Sequence, residues 1–264
     1  MTRTRTTVVV LGLTLLLLCA GLALWFLVLE PAEEDDAAAG LADAVEPVMG
    51  RLGAVADRVN LLLGSRADAV AASLQAQVPA ETPARSDFIG ACLAMWRNES
   101  GFRPDIFNYY LRDEDGQKVL GATGKPILKQ AFGYDDPNYK YAHACGIAQI
   151  VYLQDAGLTK ANALDLDANV GASLRRLNLP AWSKIMDGIP SADLQTRAAC
   201  LYMGHGRGPA TVPLAVSTIA AGGDWAEVSA AVGARYGTGG LRFAHMWSCA
   251  ANARHYADKY GSPA

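Results

Sequence analysis

Apolar positions along the chain fall into three regimes. From Val8 to Leu29 (VVVLGLTLLLLCAGLALWFLVL) they run without a charge. From Leu41 to Leu62 they alternate at spacings of four and three through Val45, Val48, Leu52, Val55 and Val59, the signature of a heptad seam. Pro47 suits a first helical turn, so this pattern predicts a helix over residues 47–78, closed by Pro79 and Pro83. From about Ser86 the pattern shortens. FIGACLAMWRN puts Phe88, Cys92, Met95 and Trp96 on one helical face, with Ser86-Asp87 as the expected cap. Gly101 and Pro104 stop that helix near Glu99. NYYLRDEDGQKVLGATGKPIL then reads as extended chain, with a hairpin turn at Asp115-Gly116 between YYL and KVL, and no other sheet is expected. Helices follow at roughly 147–156, 166–178, 191–203, 209–221, 225–235 and 241–260, and Asp224 is placed to cap one of them. No internal repeat is present. The fold class expected is mainly α: a multi-helix domain with one small β-hairpin region, preceded by an N-terminal transmembrane helix.

Length and flanking charge decide how the first run is read. It suits a bilayer core of ~30 Å at ~1.5 Å per residue. Arg3 and Arg5 precede it, EPAEEDD follows, and the next basic residue is Arg51, so residues 1–7 are expected in the cytoplasm and the rest of the chain outside. Trp25 and Phe26 stand where an interfacial anchor belongs. A cleaved signal peptide is the rival. Its apolar core is shorter and ends in small residues, whereas this run ends in WFLVL. Cys19 does not make a lipoprotein signal, because Leu18 precedes it. The expected organisation is a cytoplasmic tip (1–7), an anchor (8–29), an acidic linker (30–46), the amphipathic helix (47–78) and a distal domain (84–261).

The net charge of −3 gives no support to nucleic-acid binding. Outside the anchor lie Cys92, Cys145, Cys200 and Cys249, and export to an oxidising compartment predicts disulfides among them, with the pairing open. No C-x-x-C pair occurs, so neither a metal nor another cofactor is expected. GATGKP lacks the leading glycine of a phosphate loop, and GHGRG does not open a strand–helix unit; both read as turns. The four histidines are scattered and read as structural or exposed.

Glu99 is set apart by its position. A helix C-terminus carries roughly half a negative charge, and a carboxylate there is disfavoured. Trp96 and Phe102 are expected to exclude water from it. Those are the conditions under which a carboxylic acid keeps a proton to donate, as glycoside cleavage requires.

ESGFRP around Glu99 resembles the E-S-x-F-x-P motif of the soluble lytic transglycosylases, a family with the goose-type lysozyme fold. CGIAQI (Cys145 to Ile150) resembles that family's G-L-M-Q-I. DLDANVGASLRRL (Asp165 to Leu177) is similar to its D-P-x-x-N-I-x-x-G helix, and AACLYMGHGRG (Ala198 to Gly208) stands in the place of A-x-A-Y-N-A-G-x-G. The blocks come in family order and cover about residues 85–260. There are departures. Cys145 follows Glu99 by 46 positions, more than the family gap, so the hairpin region is an enlarged loop. Met203 replaces the asparagine beside Tyr202. The family's late tyrosine is displaced: Phe243 begins the last helix, and Tyr236 is preferred over Tyr256 as its substitute.

The resemblance implies an α+β lysozyme-like domain that cuts peptidoglycan glycan strands between N-acetylmuramic acid and N-acetylglucosamine. Glu99 acts first as acid and then as base, leaving a 1,6-anhydro end. Ser100 is implied to orient Glu99, Gln149 to contact sugar groups, and Tyr202 to line the cleft near the cleaved bond. The implied partners are glycan strands and, through the N-terminal helix, the membrane. Candidate settings are a secretion or conjugation apparatus, a membrane-bearing phage, or wall turnover, with the domain on the periplasmic or outer side. Two alternatives stay open. One is a lysozyme-type hydrolase drawing a second acid from Asp113, Glu114, Asp115, Asp135 or Asp136. The other is a non-enzymatic wall-binding or assembly protein.

Overall fold

The computed structural model describes residues 64–151, 157–236 and 240–262. The expected anchor, the acidic linker and the first part of the 47–78 helix lie outside the described residues. Among those described, no helix is long and apolar enough to cross a membrane. The domain is mainly helical, with one three-stranded antiparallel sheet.

Helix α1 covers 64–77 and turns Ala67, Val70, Ala71 and Leu74 into the core. Helix α2, Arg85–Ser100, is the hub: Phe88 to Trp96 are buried without a break, so it is apolar on all sides and enclosed by other helices. Its expected cap is not made. Ala84 stands at the N-cap in a left-handed conformation with no side-chain bond. Ser86 donates instead to the Gly261 carbonyl at 3.0 Å, and Asp87 pairs with the nearly buried Arg197 at 2.6 Å. Long-range partners outcompete the local cap because the Arg197 guanidinium needs a counter-charge inside the domain.

The chain then forms strands β1 (Ile106–Tyr110), β2 (Leu128–Phe132) and β3 (Ala142–Cys145), in the order β2-β1-β3. The Asp-Gly turn is present, with Gly116 at φ 78 and Asp113 N–H bonded to the Gln117 carbonyl at 3.0 Å. Beyond it Val119 N–H reaches the Leu111 carbonyl. The main partner of β1 is further on: Ile106 faces Phe132 and Tyr110 faces Leu128. Strand β3, absent from the expected hairpin, completes the sheet on the other edge of β1. Below one face Phe107, Ala131, Tyr139, Cys145, Ala163 and Leu164 make a separate small core.

Helices α3 (Leu166–Ser173) and α4 (Leu179–Gly188) are joined by a π-helical turn, Leu174–Asn178. Helix α4 was not expected. Pro180 sits in its first turn, where its missing N–H costs nothing. Helices α5 (Leu194–Arg207), α6 (Val212–Ala220) and α7 (Trp225–Tyr236) match the expected pattern. Asp224 caps α7 as expected: its carboxylate accepts from Glu227 N–H and Glu227 returns the bond to Asp224 N–H, each at 2.9 Å. The single helix expected over 241–260 is two, α8 (Gly240–Ala250) and α9 (Ala253–Tyr260), separated by a turn in which Asn252 N–H bonds the Cys249 carbonyl. The break lets α9 lie against α2 so closely that a Cβ at Gly90 would sit 2.3 Å from the Ala253 carbonyl oxygen. Of the expected 147–156 helix, residues 147–149 form a turn, Ile150 bridges back to Cys145, and 152–156 lie outside the described residues.

The expected disulfides are corrected as well: Cys92, Cys145, Cys200 and Cys249 are free thiols. They stand on four different elements, α2, β3, α5 and α8, and the first three are wholly buried as small apolar side chains. Burial raises the Cys145 thiol to about 11 and the Cys200 thiol to about 12, which keeps both protonated.

Candidate active site

Glu99 sits in the last turn of α2. Gly101 closes the helix in the left-handed region, its N–H bonded to the Arg97 carbonyl at 2.8 Å. Phe102 follows with φ 61, a conformation that a bulky residue rarely accepts, and it is held there by burial, its ring edge-on to Tyr256 at 5.7 Å. The chain therefore leaves the helix abruptly, and the Glu99 carboxyl is left half-buried at its end.

One side chain from another helix meets it, and two more lie within reach of its charge. The Tyr202 hydroxyl, from α5, hydrogen-bonds the Glu99 carboxylate and accepts from the Asn98 amide. Burial and the Glu99 charge both hold the Tyr202 phenol far above its ordinary value, so it remains a donor. His205 lies one turn further along the same face of α5. Its Nε2 is 2.7 Å from the Ala148 carbonyl oxygen, so Nε2 carries a proton and donates it. Burial lowers the basicity of His205; the nearby Glu99 and the Ala148 bond oppose that without cancelling it. Cys249, from α8, also feels the Glu99 charge, which together with burial raises its thiol.

Ala148 belongs to the turn that carries Gln149. Cys145 and Ile150 close this turn with reciprocal backbone bonds of 3.1 and 2.9 Å, and Gly146 N–H ties it to the Ile106 carbonyl of β1 at 2.8 Å. Gly146 is at φ 73, and a Cβ there would fall 2.2 Å from the Asn169 amide. That amide is the turn's internal brace. Fully buried Asn169 accepts from Ala148 N–H at 3.0 Å and donates to the Cys145 and Ala163 carbonyls at 3.0 and 2.9 Å. Gln149 itself, at φ 47, donates to the Gly146 carbonyl at 2.8 Å and accepts from Asn108 of β1 at 2.6 Å. All four sequence blocks thus meet: Glu99 touches Tyr202, His205 touches Ala148, and Asn169 holds the Ala148 turn.

No family model, curated protein or solved structure matches the chain.

The other site residues expected from sequence are placed less directly. Ser100 is buried, and its hydroxyl donates to the Trp96 carbonyl one turn back at 2.9 Å. Tyr236, at the end of α7, is exposed and donates to the Ala210 carbonyl at 3.2 Å. Tyr256 of α9 packs on Phe102 at the end of α2 and is hydrogen-bonded to Arg97. Gln149 is near the Glu99 cluster through Ala148, with its amide engaged by the protein. The loop acids stand on turns: Asp113 accepts from Gln117 N–H at the hairpin tip, and Asp136 from Asn138 N–H, each at 2.7 Å. Among the described residues no group of three or more His, Cys, Asp or Glu side chains is arranged to hold a metal ion.

Asn98, His205 and Asn169 were not picked out from the sequence. Asn98 adjoins Glu99, and His205 stands at i+3 from Tyr202, so both were within reach of a spacing argument. Asn169 stands at the asparagine of the D-P-x-x-N-I block, but its partners lie 6 to 24 positions away and only the structure names them. Chemically, the cluster offers one half-buried carboxyl, a phenol fixed as donor to it and a neutral imidazole behind. It suits one group that gives up a proton and takes one back.

Proposed function

We propose that the chain is a membrane-anchored lytic transglycosylase acting on peptidoglycan, with a lysozyme-like domain held on the outer or periplasmic side by the Val8–Leu29 segment. The observation that carries this reading is the half-buried carboxyl of Glu99 beside the Tyr202 hydroxyl, which the Asn98 amide also reaches, where the first and last of the four blocks meet. Glu99 protonates the oxygen between N-acetylmuramic acid and N-acetylglucosamine. As the bond to the leaving sugar breaks, the Tyr202 hydroxyl steadies the new carboxylate. That carboxylate then takes the proton from the C6 hydroxyl of the muramoyl sugar, whose oxygen closes on C1 as a 1,6-anhydro ring. The nucleophile belongs to the substrate, so a second protein acid is not needed. A hydrolase does need one.

In this scheme neutral His205 holds the Ala148 turn against α5, and with it the distance between Gln149 and Glu99. Gln149 meets sugar hydroxyl or amide groups if substrate displaces its bond to Asn108. Replacing Glu99 with Gln keeps the size and removes the exchangeable proton, and cleavage in a peptidoglycan zymogram is expected to fall by about 10²–10⁴-fold. Mass spectrometry of digested sacculi is expected to find anhydro ends. Reducing ends would make the protein a hydrolase instead, and undiminished activity of Glu99→Gln would remove Glu99 from the chemistry.

A further inference from the structure

The enlarged loop between the first two blocks contributes a face of its own beside Gln149. Asn108 and Tyr110 are two residues apart on β1, so their side chains share one face of the sheet. Asn108 holds Gln149. The Tyr110 hydroxyl lies 3.5 Å from His143 Nε2, with the two rings 4.8 Å apart, and the Lys118 ammonium stands 4.4 Å from the Tyr110 ring. Three cations gather around this group, while Asp113, Glu114 and Asp115 stand on the hairpin tip between two of them. Arg112 and Lys118 pair directly across the hairpin, and Arg112 and Lys140 each stand 4.9 Å from the Tyr141 ring. Like charges opposed across two strands destabilise a hairpin. None of the three forms an ion pair with a described carboxylate. Rings spread this charge, but they do not neutralise it.

We propose that Lys118, Tyr110 and His143, with Arg112 and Lys140 beside them, form a carboxylate-binding subsite for the acidic stem peptide of a muramoyl residue flanking the one cut at Glu99. This rests on the function proposed above and adds a specificity to it: the protein prefers strands that still carry their peptides. The donors fit a carboxylate, which accepts from an ammonium and a phenol together. Their place fits too. Two strand residues span roughly 7 Å, so a strand lying on Gln149 passes Tyr110 within a sugar's reach. An anionic bilayer is the competing occupant, since Leu120 and Leu128 of the same loop are 58% and 51% exposed. The half-buried Tyr110–His143 pair, on the Gln149 face, favours the strand.

The test uses the full chain carrying Glu99→Gln, so that strands stay intact, and measures binding of labelled soluble glycan strands with and without stem peptides. Peptide-bearing strands are expected to bind about tenfold more tightly. Lys118→Ala lowers that ratio about threefold to fivefold, and Lys118→Ala with Arg112→Ala and Lys140→Ala abolishes it. Equal affinity for both strands, or a ratio that survives the substitutions, overturns the proposal. So does loss of binding to vesicles containing phosphatidylglycerol with an unchanged strand ratio, which assigns the face to the membrane. Lys118 is exposed, so its single variant keeps the test readable if the triple variant does not fold. The outcomes are separable from those for the catalytic reading. A parent chain that fails to cut sacculi yet shows the charge-dependent ratio loses only the enzyme assignment. One that cuts without the ratio loses only this subsite.

Discussion

Replacing Asn169 with Ala is the sharpest probe of how the site is held together. The side chain is 0% exposed and serves one backbone donor and two backbone acceptors at 2.9–3.0 Å. Removal leaves the Ala148 N–H and the Cys145 and Ala163 carbonyls without that partner. A buried group left unpaired costs about 1–3 kcal/mol, and a carbonyl loses less than an N–H because it keeps a second lone pair. Water entering the vacated space recovers part of this. The net destabilisation is therefore about 3–5 kcal/mol, a large share of the ~5–15 kcal/mol that holds a domain folded. With a urea slope of about 2 kcal/mol/M, the unfolding midpoint is expected to fall by about 2 M. Asn169→Asp keeps an acceptor for Ala148 N–H but sets a charge against two carbonyls, and it is expected to be no better than Ala. In folded protein at low urea, cleavage is expected to suffer as well, because the turn that carries Gln149 and receives His205 loses its brace. A midpoint shift under about 0.5 M for Asn169→Ala would refute the reasoning, since it would mean the turn stands without the amide.

Tyr202→Phe removes the hydroxyl between Asn98 and Glu99; cleavage at neutral pH is expected to drop by about tenfold to a hundredfold, from a charge-assisted bond of about 1.5–3 kcal/mol, and an unchanged rate would put that hydroxyl outside the reaction. His205 is held neutral by burial, so its folded value lies below the ordinary 6.5. The unfolded chain therefore binds the proton first as the pH drops, and stability falls from about pH 6.5 downward until the folded value is reached. His205→Gln is expected to flatten that part of the stability–pH curve measured by urea denaturation, and an identical slope in both proteins would show that another group is responsible. Among the described cysteines only Cys249 is accessible in the folded protein, so a thiol reagent is expected to label it slowly and to label all four after unfolding without reductant. Fewer thiols after unfolding would restore the disulfides.

Short-range chemistry was well written in the chain. The stop after α2 follows from Gly101, which takes the left-handed conformation that a helix end requires. The α7 cap follows from Asp224 and Glu227 at their spacing of three, and the hairpin turn from Asp115-Gly116. Each of these depends on groups a few bonds apart. The expectations that failed depended on distant groups. Ser86 and Asp87 have good capping chemistry, yet Gly261 and Arg197 claim them from the far end of the domain. Helix α4 was not expected, and a π-helical turn brings the chain into register for Pro180 to stand in its first turn. The sequence reading preferred Tyr236 to Tyr256, and only the packing of α9 on α2 puts Tyr256 against Phe102.

By itself, then, the sequence determined the helical class, the strand-forming loop and the position of Glu99 at a helix end, because backbone propensity, glycine and apolar period act over one or two turns. Tertiary structure alone decided what Glu99 meets. Tyr202 reaches it from a segment 103 positions away, and His205, which holds the Asn169-braced turn, lies within reach of its charge. Burial is what forced them together. Polar groups enclosed by the packing around α2 must satisfy one another, and the partners available to them are set by which helices the apolar core has already brought side by side.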